Sequence, residues 1–403
     1  MPDAIPAAEA FRFGQKPLIV FLAFLNAFVP LSIDLYLPAL PSMARFFASP
    51  EGSAKLTLSL FMLFFACSML LWGPFSDKYG RKPILRLGIV LYIAASFWCS
   101  YAASMEQLII GRILQAIGCG AIQSVSMAVV KDVFRGKIME SVLVWIQTMT
   151  ILCPLLAPVL GAFLLQFLSW RGLFLLLTAG GLLGFVLSFA LRETLRNPLQ
   201  TSPLRSLSRI GFVLQDKGFR CLLIIFSISV MPFMAYLSSS AFIYENMFGT
   251  TTQVYSYFFA ANASCSLLGP ILYMRVLRYA PRKLFIALCF TVTICGGTLL
   301  LLFGSNGPWA FALLFMPITF MGSASRPVGA VLMMSQLDSD NGTVVALMSS
   351  MGLFCGSVSM LLCSLNWGNL VLAVGTICAV CGTLRLIGWL LVNRFKVYKE
   401  PAK

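Results

Sequence analysis

Apolar stretches of about 20 residues, each closed by a short polar or Gly/Pro-containing segment, recur from residue 18 to residue 392. A helix rising about 1.5 Å per residue needs roughly that length to cross a hydrocarbon core about 30 Å thick. The pattern predicts spans at 18–40, 55–75, 84–103, 107–130, 141–166 and 172–191. After a polar stretch it predicts six more, at 219–241, 252–274, 283–303, 308–325, 342–364 and 369–392. Strand-period alternation is absent, which argues against a β-barrel. The expected fold is therefore all-α: a polytopic membrane protein with twelve transmembrane helices in two six-helix halves.

The polar stretch 192–218, RETLRNPLQTSPLRSLSRIGFVLQDKG, is the longest interruption. It divides the chain into a tail at 1–16, a first half at 17–191, a linker at 192–218, a second half at 219–393 and a tail at 394–403. A weak internal echo supports two related halves: GPFSDKYGRKPIL at 73–85 has a counterpart in RYAPRKLFI at 278–286, about half the chain away. Parallel repeats of this kind place small-molecule sites near the bilayer midplane between them.

Composition sharpens the picture. Apolar residues make up 59% of the chain and charged residues 11%, against roughly 25% charged in soluble domains. The formal charge of +15 would suggest nucleic acid in a soluble protein, but here it is concentrated in alternate loops. With the amino terminus inside, the inside segments, which include Arg326, hold most of the 29 Lys and Arg, whereas the outside loops hold Arg45, Lys55 and Arg171. That asymmetry predicts two cytoplasmic termini. The first apolar run is too long for a signal-peptide core, so it is read as a retained helix behind a loose tail at 1–16. The twelve cysteines sit in or near apolar spans and His is absent; they read as small apolar side chains. Cys378 and Cys381 have CxxC spacing but lie mid-helix without ligand partners, so no metal and no cofactor are expected.

Four segments carry a resemblance to a known family. GPFSDKYGRKP at Gly73–Pro83, DLYLPALP at Asp34–Pro41, GRILQAIGCGA at Gly111–Ala121 and PLLAPVLGA at Pro154–Ala162 resemble signatures of the major facilitator superfamily. They are most similar to its drug-exporting bicyclomycin-resistance (Bcr/CflA) branch of twelve-helix proton antiporters. The pattern spans the whole chain, but the specific motifs lie in the first half. Two departures stand out: the fifth-helix motif has Ala157-Pro158 and Gly161-Ala162 where Gly-Pro and Gly-Gly are usual, and Arg278 replaces the signature Asp of the second inside loop. The resemblance implies a proton-coupled exporter of small amphiphilic molecules, a multidrug or antibiotic efflux protein working by alternating access as a monomer in a bacterial inner membrane.

A charged side chain within a span costs about 2.5–3.5 kcal/mol on translocon scales, so such residues are functional suspects. Asp34, Arg112 and Arg385 are the span-interior charges. Without His, proton exchange falls on a carboxyl group, and Asp34 is the well-placed one. Burial favours its neutral form and a nearby Arg its ionised form; a changing distance to Arg112 would load and release a proton, while a fixed ion pair clamping helices one and four is the structural alternative. Arg385 is read as able to snorkel to an interface.

Arg112, Gln115, Cys119, Gln123 and Ser126 follow a helical stripe that lines either a cavity or an interhelical hydrogen-bonded contact. Asn26, Gln147, Tyr236, Tyr255 and Asn262 are further cavity candidates. In the fifth span, Pro154, Pro158 and Gly161 share a face with Gln147 and Thr150, and Gly352 and Gly356 stand in GxxxG spacing in the eleventh. Small and ring-closed residues permit a bend and close backbone approach, expected here as a sliding seam or as ordinary tight packing.

In the inside loop, Gly73 and Gly80 provide tight packing and a turn, and Asp77 supplies a negative charge for a helix amino terminus. The resemblance implies that Asp77 latches onto the start of the eleventh helix, Asn341–Thr343, and that Arg81, beside Lys82, pairs with Asp132 to form a cytoplasmic gate. A symporter importing a metabolite and a transport-dead receptor or accessory protein remain alternatives. No nucleophile–base set or nucleotide loop points to an enzyme.

Overall fold

The computed structural model describes residues 10–196, 198, 211, 213–276, 281–336 and 341–399; within helices, the side chains of 137, 140, 144, 147, 149–151, 276 and 341–343 are outside that description. Nearly every described residue is helical, because a backbone in lipid must satisfy its own hydrogen bonds. In chain order the helices are α1 (Gln15–Asp34), α2 (Leu40–Phe46), α3 (Glu51–Tyr79), α4 (Arg81–Ser100), α5 (Met105–Val133), α6 (Gly136–Leu164) and α7 (Trp170–Ser188). There follow α8 (Lys217–Ser227), α9 (Met231–Phe242), α10 (Thr252–Val276), α11 (Arg282–Phe303), α12 (Pro308–Met334), α13 (Asn341–Ser364) and α14 (Leu370–Arg394). Eleven segments, with Gln15–Phe46 and Lys217–Met247 each taken as one, are long and apolar enough to cross a membrane; α6 adds the shorter apolar stretch Leu152–Leu164.

Several expectations are corrected. Gly73 and Asp77 lie not in a loop but in the last turns of α3, and the connection to α4 is Gly80 alone, at φ 102°. Only glycine adopts that conformation without strain, and Pro83 is tolerated in the first turn of α4 because its missing N–H had no helical partner. The tail is ordered at Ala10–Arg12, whose main chain exchanges 2.9 Å hydrogen bonds with Ala190 and Arg192. Lys55 is not an outside-loop residue: it lies in α3 and is buried. Arg326 lies within α12 rather than beyond it, and the buried Arg385 does not snorkel.

The chain divides into two compact units, residues 1–49 with 64–207, and residues 50–63 with 208–403. The first turns of α3 thus group with the second unit, where Lys55 donates to the Cys363 carbonyl (3.2 Å) and lies over the Phe242 ring. In the first unit α4 and α5 pack so tightly that a Cβ on Gly118 would come 2.7 Å from the Tyr92 main-chain nitrogen. In the second, Gly297 brings α11 as close to α14 at Ala379, and Gly269 brings α10 against α12 at Phe320. Small residues that let backbones meet are the usual solution in membranes, where apolar side chains gain little by leaving lipid for one another. Large apolar residues such as Leu87, Phe97, Trp145, Val186, Leu313 and Leu384 are exposed, as a lipid solvent requires.

The first long segment is interrupted after Asp34. Pro38 and Pro41 sit in the first turns of the 3₁₀ turn Leu37–Ala39 and of α2, and a proline disfavours helical geometry in the residue before it. Upstream, Pro30 removes the N–H that would have bonded the Asn26 carbonyl. The break leaves Asp34 and Tyr36 at a bend rather than on a continuous helix face.

Candidate functional site

Asp34 ends α1 and is 3% exposed. Its carboxyl group makes no hydrogen bond or ion pair with any other described residue. Helix α6 closes one side of it: Gly161 packs on the neighbouring Leu35 carbonyl, and the Cys153 thiol lies within electrostatic reach of the carboxyl. Pro154 and Pro158 sit inside α6 between these contacts. Asn26, two turns below, is buried and donates to the Leu22 carbonyl (2.7 Å), while its Oδ1 is buried without a partner.

Arg112, in α5, is fully buried, and its guanidinium lies over the Tyr36 ring, 4.5 Å from the centroid, with Phe174 at 5.9 Å. Cation–π contacts of this desolvated kind are worth about 2 kcal/mol. Arg112 also donates to Gln115 Oε1; Gln115 Nε2 donates to Ser96 Oγ (2.7 Å), and Ser96 donates to the Tyr92 carbonyl (2.7 Å). The Tyr92 and Ser32 hydroxyls meet at 2.8 Å. Asp34 and Arg112 therefore share a neighbourhood through Tyr36, two residues from the acid, without an ion pair between them in this conformation.

The α5 stripe separates into two parts. Arg112, Gln115 and Cys119 are fully buried, and Gln115 reaches Ser96 of α4, so this part serves interhelical bonding here, whereas Ser126 bonds its own helix at Ile122. Gln123 is half-buried. In the second unit Tyr236 and Tyr255 are buried in an aromatic cluster in which Tyr236 stacks on Phe315 (4.5 Å) and Phe259 (5.8 Å), and the Tyr255 hydroxyl meets Ser240 at 3.2 Å. Asn262 is buried with neither amide atom partnered. The side chains of Gln147 and Thr150 lie outside the described residues.

At the α3–α4 turn the expected charges converge. Arg81 donates Nε to Asp132 Oδ2 (2.9 Å) and Nη1 to Asp77 Oδ1 (2.5 Å) and Ser76 Oγ (2.7 Å). Asp132 lies at the end of α5. Sequence reasoning missed Glu193, whose carboxylate accepts from the main-chain N–H groups of Arg81 (2.8 Å) and Lys82 (3.1 Å) and so caps α4. Glu193 was legible only as the first acid of the linker, more than a hundred residues away. A Cβ on Gly80 would meet that carboxylate at 2.7 Å, a second reason for glycine there. The expected latch at Asn341–Thr343 falls on side chains outside the described residues, as does Arg278. Gly352 and Gly356 pack within the second unit against Val230 and Met234.

A family model described as Major Facilitator Superfamily matches residues 22–360. The chain belongs to the major facilitator superfamily. Among superfamily relatives it is 27% identical, over 94% of its length and 95% of the relative's, to an uncharacterized MFS-type transporter YdgK of Bacillus subtilis. It is 30% identical to the multidrug resistance protein MdtL of Klebsiella pneumoniae, over 59% of this chain and 61% of that one. Solved structures with the same fold include a peptide transporter POT variant (TM-score 0.75, 14% identity, covering 98% of this chain and all of that one). A D-xylose–proton symporter also shares it (TM-score 0.67, 15% identity, 93% and 97% covered). The superfamily protein is a multi-pass membrane transporter, not an enzyme.

Proposed function

We propose that this transporter exports small amphiphilic molecules from a bacterial cytoplasm in exchange for protons, as a member of the bicyclomycin-resistance (Bcr/CflA) branch, with both termini cytoplasmic and with no need of a partner subunit. One observation carries the reading: Asp34 is the acid placed deep within a described span, and its carboxyl is buried without a counter-charge among the described residues. A charge so placed needs either a partner or a proton, which is the property an exchange site requires. Arg112, stacked on Tyr36, modulates it through the bend rather than by direct pairing.

In this scheme proton arrival at Asp34 from outside and cargo binding from inside are negatively coupled. Return of one proton supplies about 2.3 kcal/mol per 100 mV of membrane potential. Gly161 and the two prolines of α6 hold the helix against the acid so that a shift of α6 alters its surroundings. The Asp77–Arg81–Asp132 set, braced by Glu193, stabilises the outward-open state at the cytoplasmic side. Asn26, Gln123, Gln147, Tyr236, Tyr255 and Asn262 become cavity-lining when the halves reorient. The partial similarity to the multidrug resistance protein MdtL supports efflux, and antibiotics are the cargo class to test first.

The deciding experiment is proton-linked flux in everted vesicles and sealed proteoliposomes beside Asp34→Asn. Wild-type protein is expected to accumulate cargo in everted vesicles whose interior is acidic, protons leaving as cargo enters, and Asp34→Asn to lose coupled transport while keeping cargo binding. Uphill transport by Asp34→Asn overturns the assignment; accumulation in the opposite direction establishes a symporter.

A further inference from the structure

The second unit holds two arginines that the coupling scheme does not use. Arg326 of α12 and Arg385 of α14 line one cleft, together with hydroxyls including Ser229, Ser266, Thr319 and Ser323. The cleft is narrow, with a cavity volume of about 10 Å³, room for about one water-sized group. Arg326 is accessible, whereas Arg385 is 1% exposed. Its Nη2 donates to Ser325 Oγ (3.2 Å) and its guanidinium lies 4.0 Å from the Phe290 ring centroid.

No acid answers these cations. Among the described residues neither arginine has a carboxylate within ion-pair distance, and each lies within electrostatic reach of the other. Two further atoms are unsatisfied: Arg385 Nε and Thr319 Oγ1 are buried without a partner, on side chains 1% and 6% exposed. Two like charges held together inside a membrane unit are costly unless something negative joins them. A guanidinium fork matches planar oxyanions, to which it donates two parallel hydrogen bonds. The surrounding groups are neutral hydroxyls that do not compete as anions: Ser229 and Ser323 donate to the Phe226 and Phe320 carbonyls of their own helices, and the unpartnered Thr319 hydroxyl keeps a donor for the cleft.

We propose that Arg326 and Arg385 form an oxyanion subsite in the second unit that takes the carboxylate of an amphiphilic cargo, with Arg326 at the mouth and Arg385 at the base. The inference rests on the export reading for the word cargo, and narrows its class to molecules with an anionic group as well as an apolar body. It gives a role to a buried arginine that a purely cationic or neutral cargo leaves unexplained.

The test uses the full-length protein in phosphatidylcholine nanodiscs with 2-naphthoate and its uncharged methyl ester as probes, read by tryptophan fluorescence. Naphthoate is expected to bind at least tenfold more tightly than the ester, a preference lost in Arg326→Gln and Arg385→Gln and partly kept in Arg326→Lys. Equal binding of acid and ester by the wild type, or a preference that survives Arg326→Gln, overturns the proposal; Arg326, being accessible, decides the matter even if Arg385→Gln fails to fold. A preference that vanishes in phosphatidylglycerol nanodiscs assigns the subsite to a lipid phosphate and overturns the cargo reading. Proton-coupled export of a neutral drug, measured in parallel, separates the two levels. If it persists while naphthoate shows no preference, the subsite fails alone; if it is absent while the preference holds, the export reading fails alone.

Discussion

The α-carbon of Gly161 faces the main-chain carbonyl of Leu35 so closely that a Cβ at position 161 would stand 2.0 Å from the oxygen. The contact fixes α6 against the bend that carries Asp34. Because the obstructing atom is backbone, it has no rotamer by which to move aside.

Gly161→Ala is therefore expected to lower stability by about 1–3 kcal/mol, the usual cost of overpacking, and to reduce transport. Gly352→Ala, whose Cβ would meet Val230 at an ordinary 3.4 Å, serves as the control. Thermal unfolding of the purified proteins checks this, and equal midpoints for the two variants would refute the contact.

Replacing the ring beneath Arg112 should matter more than removing its hydroxyl. Tyr36→Leu loses the cation–π contact, worth about 2 kcal/mol when desolvated, while Tyr36→Phe keeps the face on which the guanidinium lies. The expected order of stability is wild type, then Tyr36→Phe, then Tyr36→Leu, measured by thermal unfolding in detergent.

Glu193 binds two main-chain N–H groups at the start of α4. Loss of such a cap costs about 1 kcal/mol, so Glu193→Ala should be destabilised by that amount. Glu193→Gln retains one acceptor oxygen and should fall between. Amide hydrogen exchange at residues 81–82 should rise in the Ala variant, and unchanged exchange would show that the cap is dispensable.

The Arg81–Asp132 pair is partly in solvent on the Asp132 side, with 24% of that side chain exposed. Exposure tempers its strength, and a double-mutant cycle with Arg81→Gln and Asp132→Asn is expected to return about 1 kcal/mol of coupling. Coupling indistinguishable from zero would leave Arg81 with Asp77 and Ser76 as its working partners.

Local information was strongest where one element carried the whole signal. The length and apolarity of the segments gave the spans, since bilayer thickness acts on each helix separately. The identity of Asp34 and Arg112 as suspects followed from the cost of burying charge. The α3–α4 turn was harder: GPFSDKYGRKP read as a loop because its Gly, Pro and charges are loop-like, yet Gly80 alone makes the turn and the helices run up to it from both sides. Lys55 and Arg326 were assigned to loops for the same reason, whereas both stand within helices, Lys55 buried against the second unit and Arg326 accessible in α12.

What the sequence determined alone was the solvent of this protein, its helical class, its family motifs and the short list of charges that lipid would not tolerate idly. What only tertiary structure decided was which of those charges meet. Asp34 ends α1 at a bend while Arg112 lies over the Tyr36 ring, Arg81 is gathered to Asp132 and Glu193 from distant segments, and Arg326 and Arg385 line one cleft. The physical reason is range: span length and burial cost act residue by residue along the chain, whereas pairing depends on helix packing distances set by glycines such as Gly118, Gly161 and Gly297, whose partners the order of residues does not name.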